Sequence, residues 1–151
     1  MKKWMLSLVA CWVAFQVNAA DSGKKGDLEW LTDLPKAQAK AKQENKSVLL
    51  DFTGSDWCGW CIKLNKEVFS KPEFAEYAKK NLVLVEVDFP RRKKLSPAQT
   101  KANEALSEKY DIEGFPTIVL LGADGKLLGK TSYAPNPTAF IAELEKLRKK
   151  S

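Results

Sequence analysis

Apolar residues in this 151-residue chain fall into continuous runs and into stripes of helical spacing, and the two patterns alternate along the sequence. The first run, Trp4 to Val17, follows Lys2-Lys3 and ends at Asn18-Ala19-Ala20. A basic start, an apolar stretch and a small-residue exit make the pattern of a secretory signal. At about 14 residues the run is short of the roughly 20 that cross a bilayer as a helix. Small residues at Val17 and Ala19 predict cleavage after Ala19, so residues 1–19 are expected to be a signal peptide. Two competing expectations remain: Leu8-Val9-Ala10-Cys11 has the form of a lipobox that would anchor the chain through Cys11, and the segment would otherwise stay as an uncleaved anchor. Residues 20–27 are small, charged and glycine-containing, which predicts a mobile leader, with the folded domain over 28–151.

Beyond the leader, Leu28 to Leu31 predicts a short edge strand, and the Ala/Lys/Gln/Glu stretch from Pro35 to Asn45 predicts a helix with proline in its first turn. Val48-Leu49-Leu50-Asp51-Phe52 is a buried-strand run with one acid in it. Cys61, Leu64 and Val68 at i, i+3 and i+7 predict a helix over Gly59 to Phe69. Ser70-Lys71-Pro72-Glu73 has the form of a capping box ahead of a helix carrying Phe74 and Ala78. Leu82 to Val87 reads as a central strand covered on both faces. Ser96-Pro97-Ala98-Gln99 opens a helix to about Tyr110, and Asp124-Gly125 joins two strands, Thr117 to Leu121 and Lys126 to Lys130, as a hairpin. Asn136-Pro137 caps a last helix with Phe140, Leu144 and Leu147 on one face. Parallel strands joined by helices and closed by an antiparallel hairpin predict a single three-layer α/β domain, without internal repeats.

Composition narrows the chemistry. With 44% hydrophobic and 29% charged residues the chain is of ordinary globular type. Zero histidines exclude Ser-His-Asp and Cys-His catalysis and histidine-ligated zinc. Three cysteines are too few for a disulfide framework or a self-contained tetrahedral zinc site. Loss of Lys2 and Lys3 with the signal lowers the formal charge from +6 to +4 and, with Cys11 gone, leaves two cysteines. No aromatic residues interleave with the basic run Arg91-Arg92-Lys93-Lys94, so no nucleic-acid partner is expected. Export implies a compartment where disulfides form, with a bacterial periplasm the first expectation.

One motif carries chemistry: Trp57-Cys58-Gly59-Trp60-Cys61, between a buried strand and a helix. Cys58 would stand at the helix N-terminus, where unpaired N–H groups and the helix dipole favour a thiolate. Cys61, three residues on, shares that helix face and lies within disulfide reach. The first sulfur can attack a substrate disulfide and the second can resolve the mixed disulfide. The bland alternatives are weaker. A structural bridge over so short a loop contributes little loop-closure entropy, zinc lacks further ligands, and Ile62 stands where haem attachment requires histidine. No cofactor and no resident metal are expected.

Together with Val48-Leu49-Leu50-Asp51-Phe52 and Gly114-Phe115-Pro116-Thr117, this motif resembles, in the same order, the landmarks of the thioredoxin superfamily. The chain is most similar to exported thioredoxin-like proteins related to the C-terminal domain of the periplasmic transmembrane electron-transfer reductase. The resemblance spans about Val48 to Leu147 and implies a thioredoxin fold, with a central mixed sheet and helices on both faces. It implies Cys58 as nucleophile, Cys61 as resolving thiol, and Pro116 as a cis-proline facing the disulfide. The Phe115 backbone would pair with an extended substrate segment, and Trp57, Gly59 and Trp60 would complete the substrate-binding surface. Asp51 would be a buried carboxylate beneath the site that helps deprotonate Cys61. Taken alone, Asp51 reads equally as a solvent-facing edge residue, Pro116 as a trans turn, and the two tryptophans as packing groups.

The activity implied is thiol–disulfide exchange with protein disulfides or thiols, in the reducing direction, by a monomer served by a membrane electron-transfer protein or another redox partner. An oxidase or isomerase of exported proteins, or a non-enzymatic metal-binding or chaperone-like module, are the alternatives. Three departures from thioredoxin stand out: Gly-Trp between the cysteines, one extra residue between Asp51 and Cys58, and a longer stretch from Asp88 to Tyr110. The basic run in that stretch reads either as a solvated loop or as a dock for an acidic partner or a membrane surface.

Overall fold

A computed structural model describes residues 23–25 and 27–149, so the expected signal peptide and Cys11 lie outside the described residues. Six strands form one sheet: β1 (Gly23–Lys25), β2 (Leu28–Leu31), β3 (Ser47–Thr53), β4 (Leu82–Asp88), β5 (Thr117–Leu121) and β6 (Leu127–Thr131), in the order β1-β2-β4-β3-β5-β6. β4 runs parallel to β2 and β3, while β5 is antiparallel to β3 and β6 to β5. The helices are α1 (Leu34–Glu44), α2 (Gly59–Leu64), α3 (Pro72–Asn81), α4 (Pro97–Lys109) and α5 (Pro137–Arg148), and a π-helical turn at Asn65–Phe69 extends α2.

Side chains alternate across the pleat, so each central strand feeds two cores. Val48, Leu50 and Phe52 of β3 pack with Leu34, Ala37 and Ala41 of α1. Leu49 packs on the other face with Leu64, Val68 and Phe69 from α2 and the π turn, Phe74 of α3, and Phe140 and Leu144 of α5. Phe69 is the hub there, with ring centroids 5.0 Å from Trp30, 5.1 Å from Phe74 and 5.6 Å from Phe140. Apart from α2, three helices begin with side-chain caps: Asp33 accepts from the Lys36 N–H, Ser96 from the Gln99 N–H and Asn136 from the Ala139 N–H.

The three-layer α/β arrangement is as the sequence pattern predicts, and the differences are local. Part of the expected leader joins the sheet: Gly23–Lys25 pairs antiparallel with β2, which moves β2 in from the edge. No capping box opens α3. Lys71 holds the cap position without a side-chain hydrogen bond, because the preceding Ser70 closes the π turn, its N–H donating to the Asn65 carbonyl at 2.9 Å. The π turn admits one more residue than a regular helix, which lets the consecutive Val68 and Phe69 both face inward. At the β5–β6 hairpin Gly125 has φ +81°, the left-handed region that the Asp-Gly pair supplies readily.

Candidate active site

β3 ends at Thr53, and Gly54 turns the chain toward α2, its carbonyl accepting the Trp57 and Cys58 N–H groups at 3.2 and 2.8 Å. Gly54 is required by contact: a Cβ there would stand 2.5 Å from the Trp57 ring. Cys58 is the N-cap of α2, and its sulfur accepts the Cys61 N–H at 3.2 Å. The two cysteines form a disulfide with their Cα atoms 5.2 Å apart, both nearly buried at 7% and 5% exposure. An N–H donor aimed at the first sulfur, at the head of a helix, favours a negative charge on that atom once the bridge is reduced.

Opposite the disulfide lies the loop before β5. The Phe115–Pro116 peptide bond is cis, Pro116 is buried, and the Phe115 carbonyl oxygen lies 3.8 Å from the Cys58 sulfur. The Ser132 hydroxyl donates to the Pro116 carbonyl at 2.7 Å and ties this loop to the chain just after β6. Trp57 meets Phe115 edge-on at 6.0 Å, whereas Trp60 is 57% exposed and packs on Tyr133 at 5.0 Å. Gly59 is exposed with open space where a Cβ would stand, so packing does not demand glycine there.

Asp51 is 2% exposed in the middle of β3, opposite Glu86 of β4 and Ile118 of β5. It shares the parity of Leu49, which directs its side chain to the face covered by α2. The structure therefore brings Cys58, Cys61, Trp57, Phe115 and Pro116 to one mouth, with Asp51 on the sheet face beneath. Among the described residues no group of three or more His, Cys, Asp or Glu is placed to hold a metal ion, and no helix is long and apolar enough to cross a membrane.

A second set of residues at this mouth goes beyond the sequence motifs. The Asp56 carboxylate accepts three backbone N–H groups, from Arg91 at 2.9 Å, Arg92 at 2.8 Å and Lys93 at 3.2 Å. These bonds, with that of Arg91 foremost, hold its pKa below the ordinary value of 3.8. Buried Asp88, the last residue of β4, accepts from the Ser55 N–H and hydroxyl at 2.9 and 2.6 Å and pairs with Lys93 at 2.9 Å. The Trp57 indole N–H donates to the Phe89 carbonyl at 2.7 Å, and Phe89 stacks on Phe115 at 5.1 Å. Asn103 of α4 donates to the Asp88 carbonyl at 2.8 Å. The basic run is thus part of the wall beside Cys58. The sequence marked this stretch by its length and its basic run but did not place it at the mouth. The signal for that was position, since Asp88 ends a central strand at the edge where α/β sheets place their sites.

On the far rim the Tyr133 hydroxyl donates to Glu67, and that bond raises the pKa of Tyr133.

Comparison with known proteins agrees with this geometry. Residues 34–148 match the family described as a thioredoxin-like domain. Over 120 residues the chain is 35% identical to the disulfide bond reductase DsbH of Chlamydia pneumoniae, covering 79% of this chain and 72% of that one. It is 30% identical over 122 residues to the thioredoxin-related protein DsbJ of the same organism, covering 81% of this chain but only 35% of DsbJ. Among solved structures, that of a DsbH oxidoreductase superposes with a TM-score of 0.75 at 35% identity, covering 81% of this chain and 85% of the other.

Proposed function

The chain belongs to the thioredoxin-like family as a thiol–disulfide oxidoreductase, and from that premise we propose that it is an exported reductase of protein disulfides. The observation that carries this is the Cys58–Cys61 bridge at the head of α2, its first sulfur facing the Phe115 carbonyl.

In the reduced protein the Cys58 thiolate attacks one sulfur of a substrate disulfide. That bond breaks, the departing sulfur takes up a proton, and a mixed disulfide joins Cys58 to the substrate. Phe115 holds the substrate segment through backbone pairing beside Pro116, between the Trp57 and Trp60 surfaces. Cys61 loses its proton with the help of Asp51 and attacks the Cys58 sulfur, expelling the second substrate thiol. Two electrons and two protons have then reached the substrate, and the protein carries the disulfide seen here. A dithiol protein on or in the membrane returns the two electrons.

The reducing direction is supported by the absence of histidine and by the similarity to a protein named a disulfide bond reductase. A glutathione redox titration of the Cys58–Cys61 pair tests it. A potential near −270 mV, about that of thioredoxin, is expected, whereas one near −120 mV would make the protein an oxidant of exported chains. Export is tested separately by the mass of the periplasmic protein, which begins at Ala20 if residues 1–19 are removed.

A further inference from the structure

Both indoles beside the disulfide carry a cation. The Arg91 guanidinium lies 3.7 Å from the Trp57 ring centre, and the Lys63 ammonium lies 5.0 Å from that of Trp60 and 5.3 Å from that of Tyr133. From Arg91 the positive charge continues through Arg92, Lys93 and Lys94, all exposed. Two neighbouring acids offset part of it: Asp88 pairs with Lys93, and the Asp56 carboxylate, which accepts three backbone N–H groups, also interacts with the charge of Arg92, so four cations against two carboxylates leave the run net positive. On the far rim Glu67 accepts from Tyr133 and lies 4.0 Å from Lys63. Among the described residues Arg91, Arg92 and Lys94 form no salt bridge.

A run of four basic residues in a mobile loop is ordinary solvated surface. This run is fixed by Asp56, by the Lys93–Asp88 pair and by the Trp57–Phe89 hydrogen bond, and Asp56 and Trp57 directly precede Cys58. A loop backbone already held in place adds no ordering cost on receiving an anion, which leaves only the ordering of the rim side chains themselves. It also shares the mouth with the Phe115 carbonyl, through the Trp57–Phe115 and Phe89–Phe115 contacts.

We propose that Arg91, Arg92 and Lys94 form a specificity rim that selects disulfide-bearing protein segments with acidic side chains beside the reacting cysteine, on the Trp57 side of the Cys58 sulfur. A bilayer seated on the same rim would cover that sulfur, which favours an acidic polypeptide over anionic lipid as the occupant. The proposal rests on the exchange chemistry above and adds to it the class of substrate.

The test uses two peptides of equal length, each closed by one disulfide, with glutamate or with lysine around one cysteine. Each rate with the reduced protein is divided by the rate of the same peptide with dithiothreitol, which removes the effect of neighbours on the leaving sulfur. The acidic peptide is expected to react on the order of tenfold faster at low ionic strength, with the advantage collapsing in about 0.5 M salt. The double variant R92E/K94E should reverse the preference once each peptide rate is divided by the rate of the same variant with neutral bis(2-hydroxyethyl) disulfide. Equal corrected rates for the two peptides, or a preference that survives in the double variant, overturn the proposal. Equal rates together with variant-sensitive sedimentation on phosphatidylglycerol vesicles would assign the rim to a membrane instead. No reaction with the neutral disulfide would remove the exchange chemistry itself, and the rim's role with it.

Discussion

The backbone N–H of Cys61 points at the sulfur of Cys58 from 3.2 Å, so the helix that carries the second thiol also supplies a hydrogen bond to the first. The bond divides the labour between the two sulfurs. Both cysteines are nearly buried, and it is the sulfur at the helix head, with the N–H aimed at it, that gains from negative charge.

That division predicts opposite phenotypes for two single substitutions. Cys58→Ser should abolish insulin-disulfide reduction, because no thiolate remains at the mouth. Cys61→Ser should keep the first attack and stall, leaving a covalent adduct of protein and substrate detectable by mass spectrometry. Full turnover by Cys58→Ser would end the mechanism.

The role given to Asp51 predicts a change in one step alone. Asp51→Asn should form the mixed disulfide within about twofold of the parent rate and release product about 100-fold more slowly, the lower range for loss of a general base. A carboxylate that served only packing would slow neither step, and stopped-flow measurement of the two phases distinguishes the cases.

Much of this site was legible along the chain because its parts are local. Cys58 and Cys61 share one helical turn, whereas the burial of Asp51 was implied only by the family resemblance, since read alone it could equally face solvent from an edge. The residues that clamp the mouth were not, because their partners lie 35 to 37 positions away, as in the bonds of Asp56 to Arg91, Arg92 and Lys93. Periodicity reports which face of an element is buried, but not which loops meet beyond the ends of β3 and β4. The π turn escaped for a related reason. The i, i+3, i+7 stripe accounts for Val68, and only the crowded aromatic core shows why Phe69 must turn inward too.

That core predicts a large stability effect well away from the disulfide. Phe140→Ala removes a fully buried ring that meets Phe69 at 5.6 Å and Phe74 at 5.7 Å. A loss of about 3–5 kcal/mol is expected in urea denaturation. The redox potential of the folded protein should stay within about 10 mV of the parent value, since the ring belongs to the core cluster and not to the mouth. A loss below about 1 kcal/mol would show that the neighbouring side chains collapse into the space.

Gly54→Ala probes the contact that sets Trp57. The new methyl would stand 2.5 to 2.8 Å from three atoms of the indole, so the ring must move and its hydrogen bond to the Phe89 carbonyl must lengthen or break. Overpacking of this kind costs about 1–3 kcal/mol. Insulin reduction should fall with it, because Trp57 borders Cys58. A variant with parental stability and rate would show that the indole yields freely.

The clamp at Asp56 makes a prediction about pH. Its carboxylate is held below the ordinary value of 3.8, first by the Arg91 N–H and then by those of Arg92 and Lys93. A carboxylate whose pKa is lower in the folded state stabilises that state above the unfolded value and loses the contribution as pH falls through the folded value. The clamp is therefore complete from pH 8 down to about 5 and opens only as pH falls below the ordinary value of 3.8. Amide proton resonances of Arg91, Arg92 and Lys93 should be flat over that range and move together with a midpoint below 3.8. In Asp56→Asn the shared transition should vanish, and the preference for acidic peptides should weaken as the loop loosens, with the neutral disulfide still reduced. A midpoint at or above the ordinary value would mean that the three N–H groups do not hold this carboxylate in solution, and that the basic rim moves freely beside the disulfide.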